Sequence, residues 1–162
     1  MKRVGAISFL IAALAVAAIV AGTALAAHSV AFKGSYAGKV TEKVDGQTVT
    51  ALASGAGSGT VIGKGKLTGT VKATTANPPC SPINGPGTIT GLAGKLKLTV
   101  VTPSRGCAAS ETEQDSITVS GTAKVNGGTL KFKNARGSLH FSGHYDRKTG
   151  VFNVKLTGTF TY

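Results

Sequence analysis

The C-terminal part of the chain alternates between polar residues and residues that are apolar or small. Within residues 151–162 the polar positions after Val151 are Asn153, Lys155, Thr157, Thr159 and Thr161, and the positions between them are Phe152, Val154, Leu156, Gly158, Phe160 and Tyr162. Residues 116–125 and 138–145 alternate in the same way. A period of two residues predicts a β-strand with one face buried and the other face in water. The pattern therefore predicts three strands at the C-terminus.

Turn residues divide the earlier part of the chain into hairpins. Asp45-Gly46 lies between two alternating runs, residues 36–44 and 47–53, and Asp-Gly in that position is a strong hairpin signal. Further turns are expected at two glycine-containing segments, residues 63–65 and residues 93–94. Residues 28–34, before the first strand, are expected to be a loose lead-in. Eight or nine antiparallel strands in hairpin succession predict an all-β fold, a small antiparallel up-and-down β-barrel, because closure removes exposed sheet edges.

Two long stretches, residues 74–86 and 103–112, are predicted to be loops. Each contains one of the two cysteines, Cys80 and Cys107, and the two loops lie at the far ends of one predicted hairpin. If the chain is secreted, as the N-terminal residues described next predict, the simplest arrangement is a disulfide, which closes the loop and stabilises the fold by roughly 3 to 4 kcal/mol. The alternatives are a metal pair, which needs more ligands than these loops offer, and a catalytic thiol, which needs a histidine nearby.

The N-terminus has the organisation of a secretory signal peptide. Lys2 and Arg3 precede an uninterrupted run of apolar and small residues, and Ala24-Leu25-Ala26 then forms a small-x-small cleavage site. A membrane anchor is the alternative, since the apolar run with its flanks is nearly long enough to span a bilayer. Cleavage is favoured because no charged stop-transfer flank follows. We therefore expect a signal peptide over residues 1–26, a single barrel domain over residues 27–162, and no stable membrane insertion after cleavage.

The chain is strongly basic. Its formal net charge is +12, and it falls to +10 when Lys2 and Arg3 leave with the signal peptide. The lysines are scattered singly along the predicted strands, without a block of five or six like charges. A basic protein in the extracellular space or cell envelope attracts polyanions, so an anionic cell-wall or extracellular polymer is the expected partner. Nucleic acid is not expected, because the aromatic residues fall mostly on apolar strand faces and form no visible stacking platform.

Residues 127–137 read Gly-Gly-Thr-Leu-Lys-Phe-Lys-Asn-Ala-Arg-Gly. This segment resembles the Gly-Gly-Thr-Gly-Lys-Phe-x-x-Ala-Arg-Gly signature of dirigent proteins and of allene oxide cyclase-like barrels, with Leu130 where the signature has glycine. Those proteins are eight-stranded antiparallel barrels, so the resemblance implies the same fold. The residues that carry it are expected to have structural roles: Gly127, Gly128, Phe132, Ala135, Arg136 and Gly137.

A physical interpretation of the segment agrees with a structural role. Glycines permit a tight crossing, Phe132 and Ala135 are suited to plug one end of a barrel, and Arg136 has several donors for turn carbonyls. The resemblance also implies an interior site for a small hydrophobic ligand, or a cyclase-like reaction there. The pocket carboxylates of the family have no matching position in this chain, so its chemistry is not carried over.

The sequence shows no catalytic constellation, no cofactor motif and no metal-ligand spacing, which favours a noncatalytic protein without a cofactor. One carboxylate nevertheless stands out. Glu42 shares a predicted strand face with apolar residues, where an unpaired charge would be costly. We expect Glu42 at the rim of the barrel, paired to a lysine or to backbone.

Two further groups of polar residues are candidates for a metal site. His140 and His144 fall on the polar face of one predicted strand, about 13 Å apart, too far to chelate one metal ion together. Glu111, Glu113 and Asp115 form an acidic group that lacks the spacing of a calcium loop. We expect the histidines to be solvated and the acidic group to pair with nearby lysine or arginine.

Three functions are compatible with these patterns. The favoured one is a secreted, noncatalytic barrel of the extracellular space or cell envelope with a basic surface. The second is a dirigent-like or cyclase-like barrel with a small hydrophobic ligand inside, and cavity volume discriminates the two, since an eight-stranded barrel is either filled by side chains or holds one ligand. The third is an outer-membrane barrel, suggested by the alternating strand that ends in Tyr162, but the chain has no Trp and 3 Tyr for aromatic girdles.

Overall fold

The computed structural model describes residues 28–76 and 78–162, so the predicted signal peptide lies outside the described residues. In this part of the chain no helix is long and apolar enough to cross a membrane. The described residues form nine strands and one short 3₁₀ helix, η1, in this chain order: β1 (Ser29–Asp45), β2 (Thr48–Gly59), β3 (Gly63–Thr74), β4 (Cys80–Pro82), β5 (Gly85–Gly91), β6 (Gly94–Ala108), β7 (Ser116–Gly128), η1 (Leu130–Phe132), β8 (Arg136–Asp146) and β9 (Val151–Thr161).

The strands pair antiparallel with their neighbours in sequence and then close on themselves. β9 returns to β1, with Ser29 opposite Thr161 and Lys39 opposite Val151. β4 stands outside this ring and pairs with the second half of β6. The predicted up-and-down barrel is therefore confirmed, as a closed eight-stranded antiparallel barrel with one extra strand.

The period of two residues separates the inside of the barrel from its outside. In β9, Phe152, Val154, Leu156 and Phe160 are buried inside, whereas the polar residues between them are exposed. Each such buried side chain contributes about 1.5 to 3 kcal/mol relative to exposure. The apolar face points inward, which is opposite to the arrangement in an outer-membrane barrel.

The two ends of the barrel differ in how they are filled. Where β1 begins and β9 finishes, aromatic rings fill the interior: the Phe160 ring centroid lies 6.0 Å from those of Phe32 and Phe132, and Tyr162 lies 5.3 Å from Phe132. Glycine makes room for them, since a Cβ on Gly59 would lie 2.5 Å from Cζ of Phe32. We call this end the closed end, and the opposite end, where β1 finishes and β9 begins, the open end.

Some predicted boundaries are wrong, and long-range pairing explains why. The expected lead-in over residues 28–34 is almost entirely strand, because β1 pairs with the last strand of the chain from Ser29 onward. The second hairpin turns at residues 60–62, since Gly63 already pairs with Gly59. The expected loop over residues 74–86 contains β4 and the first residues of β5.

The expected loop over residues 103–112 is strand up to Ala108. A register shift between Val101 and Arg105 interrupts the pairing of β6 with β7 at this point. Proline lacks an N–H and is tolerated in strands at such bulges, so Pro103 does not end β6. Ser104 is buried in the bulge, where its hydroxyl accepts a hydrogen bond from the N–H of Thr122 at 3.0 Å.

Candidate functional site

A cavity of about 320 Å³ lies inside the open half of the barrel. Small-molecule sites in proteins span about 300 to 1,000 Å³. Barrels of eight strands are just wide enough to hold one small ligand where side chains do not fill them. Most of the wall is apolar and comes from inward-facing residues of several strands, among them Val40, Val49, Leu67, Val71, Leu98, Ile117, Phe141, Phe152, Val154 and Leu156.

Small residues on two neighbouring strands leave this space open. Ala51 and Ala53 on β2 and Gly69 and Ala73 on β3 line the cavity. The same inward face of the barrel carries aromatic rings at the closed end. The cavity therefore arises because the inward-facing side chains are smaller at the open end than at the closed end.

One charged pair belongs to the cavity wall. Oε2 of Glu42 lies 3.3 Å from Nε of Arg147, and the two side chains are 22% and 31% exposed. The Nε atom itself is buried and makes no hydrogen bond in proper geometry with any described residue. The sequence predicts a rim position and a lysine or backbone partner for Glu42; the rim position is confirmed, and the partner is an arginine.

The turn between β8 and β9 positions Arg147. Its N–H donates to the carbonyl of Asp115 at 2.8 Å, which ties the turn to the β6–β7 loop. Within the turn the N–H of Thr149 donates to Oδ1 of Asp146 at 2.8 Å. Nζ of Lys39 donates to the carbonyl of Thr149, also at 2.8 Å, and so links the turn to β1. The turn that carries Arg147 is therefore anchored at the open end to two other elements, the β6–β7 loop and β1.

Tyr145 is a further polar side chain of the same wall, on β8. Burial raises the pKa of its phenol, the charge of Glu42 raises this pKa further, and Arg147 opposes the shift. The phenol is therefore kept in its neutral form, which has an O–H to donate. Glu42, Tyr145 and Arg147 together supply an acceptor and two donors at the rim of an apolar cavity.

The two cysteines lie at the open end. The Sγ atoms of Cys80 and Cys107 are 2.10 Å apart, at disulfide distance, and the residues face each other across β4 and β6. Ser81 and Ile83, which follow Cys80, line the cavity. A crosslink here holds part of the cavity wall in place and leaves neither sulfur free for a metal or for thiol chemistry.

Residues 127–137 form the floor of the barrel at the closed end. Phe132 and Ala135 are fully buried. The carbonyl of Ala135 accepts from the N–H of Gly127 at 2.7 Å and from Nη1 of Arg136 at 2.8 Å. Gly127 needs its conformational freedom, since its φ is 84°. Arg136 thus contacts a turn carbonyl, as expected for that side chain.

The remaining two of the six positions, Gly128 and Gly137, also have structural roles, and Leu130 in the same segment has an unusual backbone conformation. A Cβ on Gly128 would collide with the carbonyl oxygen of Lys95, and a Cβ on Gly137 would lie 2.5 Å from Cα of Phe160. Leu130 has a φ of 53° and a side chain that is 75% exposed. It therefore adopts a left-handed conformation at the position where the resembled signature has glycine. None of these three residues lines the cavity.

The remaining candidates do not form a site together. Nδ1 of His140 lies 3.2 Å from Oγ1 of Thr122 on the outer face, whereas His144 lies at the edge of the cavity. In the acidic group, Asp115 pairs with Lys148 at 2.8 Å. Among residues 28–76 and 78–162, no three side chains of His, Cys, Asp or Glu come together as a metal-binding group.

Sequence reasoning did not single out Arg147 or Tyr145 as site residues. The signal for Tyr145 is present, since it falls on the apolar face of β8, but Arg147 lies in a turn, where no periodicity applies.

Comparisons of the chain with protein-family models, with curated proteins and with solved structures find no match. Function is therefore inferred from the geometry of the barrel and its open end.

Proposed function

We propose that this barrel binds a small hydrophobic ligand in the cavity at its open end. The observation that carries the proposal is the cavity of about 320 Å³, apolar along most of its wall and closed below by aromatic rings. Concave, mostly apolar sites with a few convergent polar groups are typical of ligand pockets. The resemblance of residues 127–137 to dirigent proteins and allene oxide cyclase-like barrels supports the same proposal.

The rim favours a ligand with one uncharged polar group. Glu42 and Arg147 carry opposite charges, so their sum neither attracts nor repels a net charge strongly. A hydroxyl or carbonyl group fits this environment, because the neutral phenol of Tyr145 and the partly exposed guanidinium of Arg147 line the cavity and can donate a hydrogen bond to it. The raised pKa of Tyr145 opposes formation of a phenolate nucleophile. Binding without covalent chemistry is therefore the function we propose.

Fluorescence titration with N-phenyl-1-naphthylamine, an uncharged apolar fluorophore, tests this proposal. We expect one equivalent to bind with enhanced emission. Ala51→Phe places a ring inside the cavity and should weaken binding by about tenfold or more, equivalent to 1.4 kcal/mol.

Ala56→Phe is the matched control, since Ala56 lies on the same strand but is exposed on the outer face. Its binding should equal that of the unaltered protein. Equal binding by the Ala51→Phe variant, with its melting temperature intact, would place the fluorophore elsewhere and reject the interior site. Native mass spectrometry of protein purified without detergent would identify a resident ligand as an added mass that denaturation removes.

We also propose that the chain is secreted and acts outside the cytoplasm as a noncatalytic protein of the extracellular space or cell envelope. Residues 1–26 support this, because a positively charged start is followed by an apolar run and by a cleavage site of small residues. A disulfide at the open end is compatible with an oxidising compartment. N-terminal sequencing of protein expressed from the complete chain tests it. Ala27 should be the first residue of protein recovered from the medium or envelope, and an intact N-terminus would contradict cleavage.

A further inference from the structure

We propose that the closed end of the barrel is a binding surface for an acidic polysaccharide. The surface lies at the end opposite the cavity, and its binding does not depend on a ligand in the cavity. The charge of the folded chain is distributed unevenly between the two ends, and four lysines on neighbouring strands lie close together at the closed end.

The fold separates acidic from basic residues. The chain contains 6 Asp and Glu, and all of them lie at the open end: Glu42, Asp45, Glu111, Glu113, Asp115 and Asp146. Both ion pairs found among the described residues are at that end as well. The closed end carries exposed basic residues with no carboxylate among them: Lys33, Lys64, Lys66, Lys95, Lys97, Lys124, Lys131, Lys133 and Arg136. The net positive charge of the barrel is thus concentrated at the closed end.

Four of these lysines form a compact group on the outer face. Lys64 and Lys66 lie two positions apart at the start of β3, and Lys95 and Lys97 lie two positions apart at the start of β6. β5 runs between them, and Thr90 pairs with Lys66 on one side and with Lys95 on the other. Strand spacing puts the backbones of β3 and β6 about 10 Å apart, and two positions along a strand span about 6.6 Å.

These distances match a polymer with repeated charges. The Debye length is about 8 Å at physiological ionic strength, so the four ammonium groups act together on an anion near the surface. Single surface charges at larger separations would be screened from one another. A linear chain with one anionic group per repeat therefore meets several cations at once, whereas a small anion meets only one or two.

The side chains between the lysines favour a sugar backbone. Thr88 and Thr90 on β5, and Thr68 on β3, project hydroxyls on the same face, and hydroxyls donate to and accept from sugar hydroxyls. Among the lysines of β3 and β6, no aromatic side chain projects outward for stacking on a nucleobase. An acidic polysaccharide held by lysines and threonines is the partner that fits this surface. The cavity, at the other end, would stay open to solvent while the polymer is bound.

Binding of protein expressed from the complete chain to immobilised polygalacturonate tests the inference, with neutral dextran as the blank. We expect binding that weakens as salt rises and is absent on dextran. Replacing Lys66, Lys95 and Lys97 together by glutamine should weaken binding about tenfold. All three side chains are exposed, so the melting temperature should stay unchanged.

The matched control replaces Lys43, Lys72 and Arg105 by glutamine, which removes the same number of charges from exposed positions at the open end. Its binding should stay within about twofold of that of the unaltered protein. Equal weakening by the two variants would show that only net charge matters and would overturn the assignment to the closed end. Tighter binding to double-stranded DNA or to phosphatidylglycerol vesicles than to polygalacturonate would overturn the assignment to polysaccharide.

Discussion

Nε of Arg147 lies 3.3 Å from Oε2 of Glu42, across the open end of the barrel from the turn after β8 to the last part of β1. The pair places one positive and one negative group at the rim of an otherwise apolar cavity. Its neighbour Tyr145 responds to both charges, which makes the phenol a sensitive probe of this arrangement.

The two partners of this pair should shift the pKa of Tyr145 in opposite directions. Glu42→Gln removes a negative charge that disfavours the phenolate, so the pKa of Tyr145 should fall. Arg147→Gln removes a positive charge that favours the phenolate, so the same pKa should rise. Absorbance titration of the tyrosines near 295 nm measures both shifts, with Tyr145→Phe identifying the signal. Shifts of the same sign in the two variants would contradict the arrangement at the rim.

Removing the crosslink at the open end should destabilise the barrel. Cys80 and Cys107 are 27 positions apart, and freeing a loop of this size costs roughly 3 to 4 kcal/mol in the chain-entropy estimate. Urea unfolding of the Cys80→Ser, Cys107→Ser double variant measures the loss. The unaltered protein with a reductant should approach the stability of the double variant. An unchanged stability in both experiments would mean that the bond is not formed in solution.

Tyr36→Phe should stabilise the protein by about 1 kcal/mol at neutral pH. The Tyr36 hydroxyl is buried and has no hydrogen-bond partner among the described residues, so its removal relieves a desolvation cost. Urea unfolding near pH 8 compares the two proteins. A loss of stability of similar size would indicate that the hydroxyl is bonded in solution.

The stability advantage of the Tyr36→Phe variant should grow in alkaline solution. Burial raises the pKa of Tyr36 to about 12 in the folded state, against 10.0 for an ordinary tyrosine. The unfolded chain then loses this proton first, so folding stability falls as the pH rises from about 10 to about 12, by up to about 3 kcal/mol. The variant lacks this contribution, whereas the titration of lysines affects both proteins alike. Parallel stability curves over this range would contradict the prediction.

Leu130→Gly should stabilise the closed end by about 1 kcal/mol. Leu130 has a φ of 53°, a conformation that costs a side chain other than glycine about 1 kcal/mol or more. Its side chain is 75% exposed, so little apolar burial is lost. Thermal unfolding measures the effect, and Leu92→Gly is the control. Leu92 is 98% exposed in another turn and has no positive φ, so glycine there should not stabilise.

Local pattern was sufficient for the class of fold. Alternation in residues 116–125, 138–145 and 151–162 predicts strands, because a pleated strand sends successive side chains to opposite faces whatever lies around it. Short turns between such strands predict antiparallel neighbours, and closure follows from the cost of exposed edges. The same alternation predicts that the side chain of Glu42 points into the barrel. This was the one feature of the local sequence that indicated the rim of the cavity.

Strand boundaries depended on partners distant in sequence. In residues 29–34, Val30, Phe32 and Gly34 alternate with Ser29, Ala31 and Lys33, but so short a run does not by itself distinguish a strand from a loose lead-in. It forms strand because β9 supplies its hydrogen bonds. Pro103 lies within β6 because the bulge opposite β7 needs no N–H from it. Neither partner is visible in the local sequence.

Alternation assigns each side chain to the inside or the outside of the barrel, and here the sequence alone was sufficient. It does not show whether the inside is filled, because the free volume depends on which residues of eight strands meet at one height: aromatic rings at the closed end, alanines and glycine at the open end. The pairing of Glu42 with Arg147 and the separation of acidic from basic residues have the same origin. Both depend on strand closure, which brings distant turns to one end, and therefore only the folded barrel shows them.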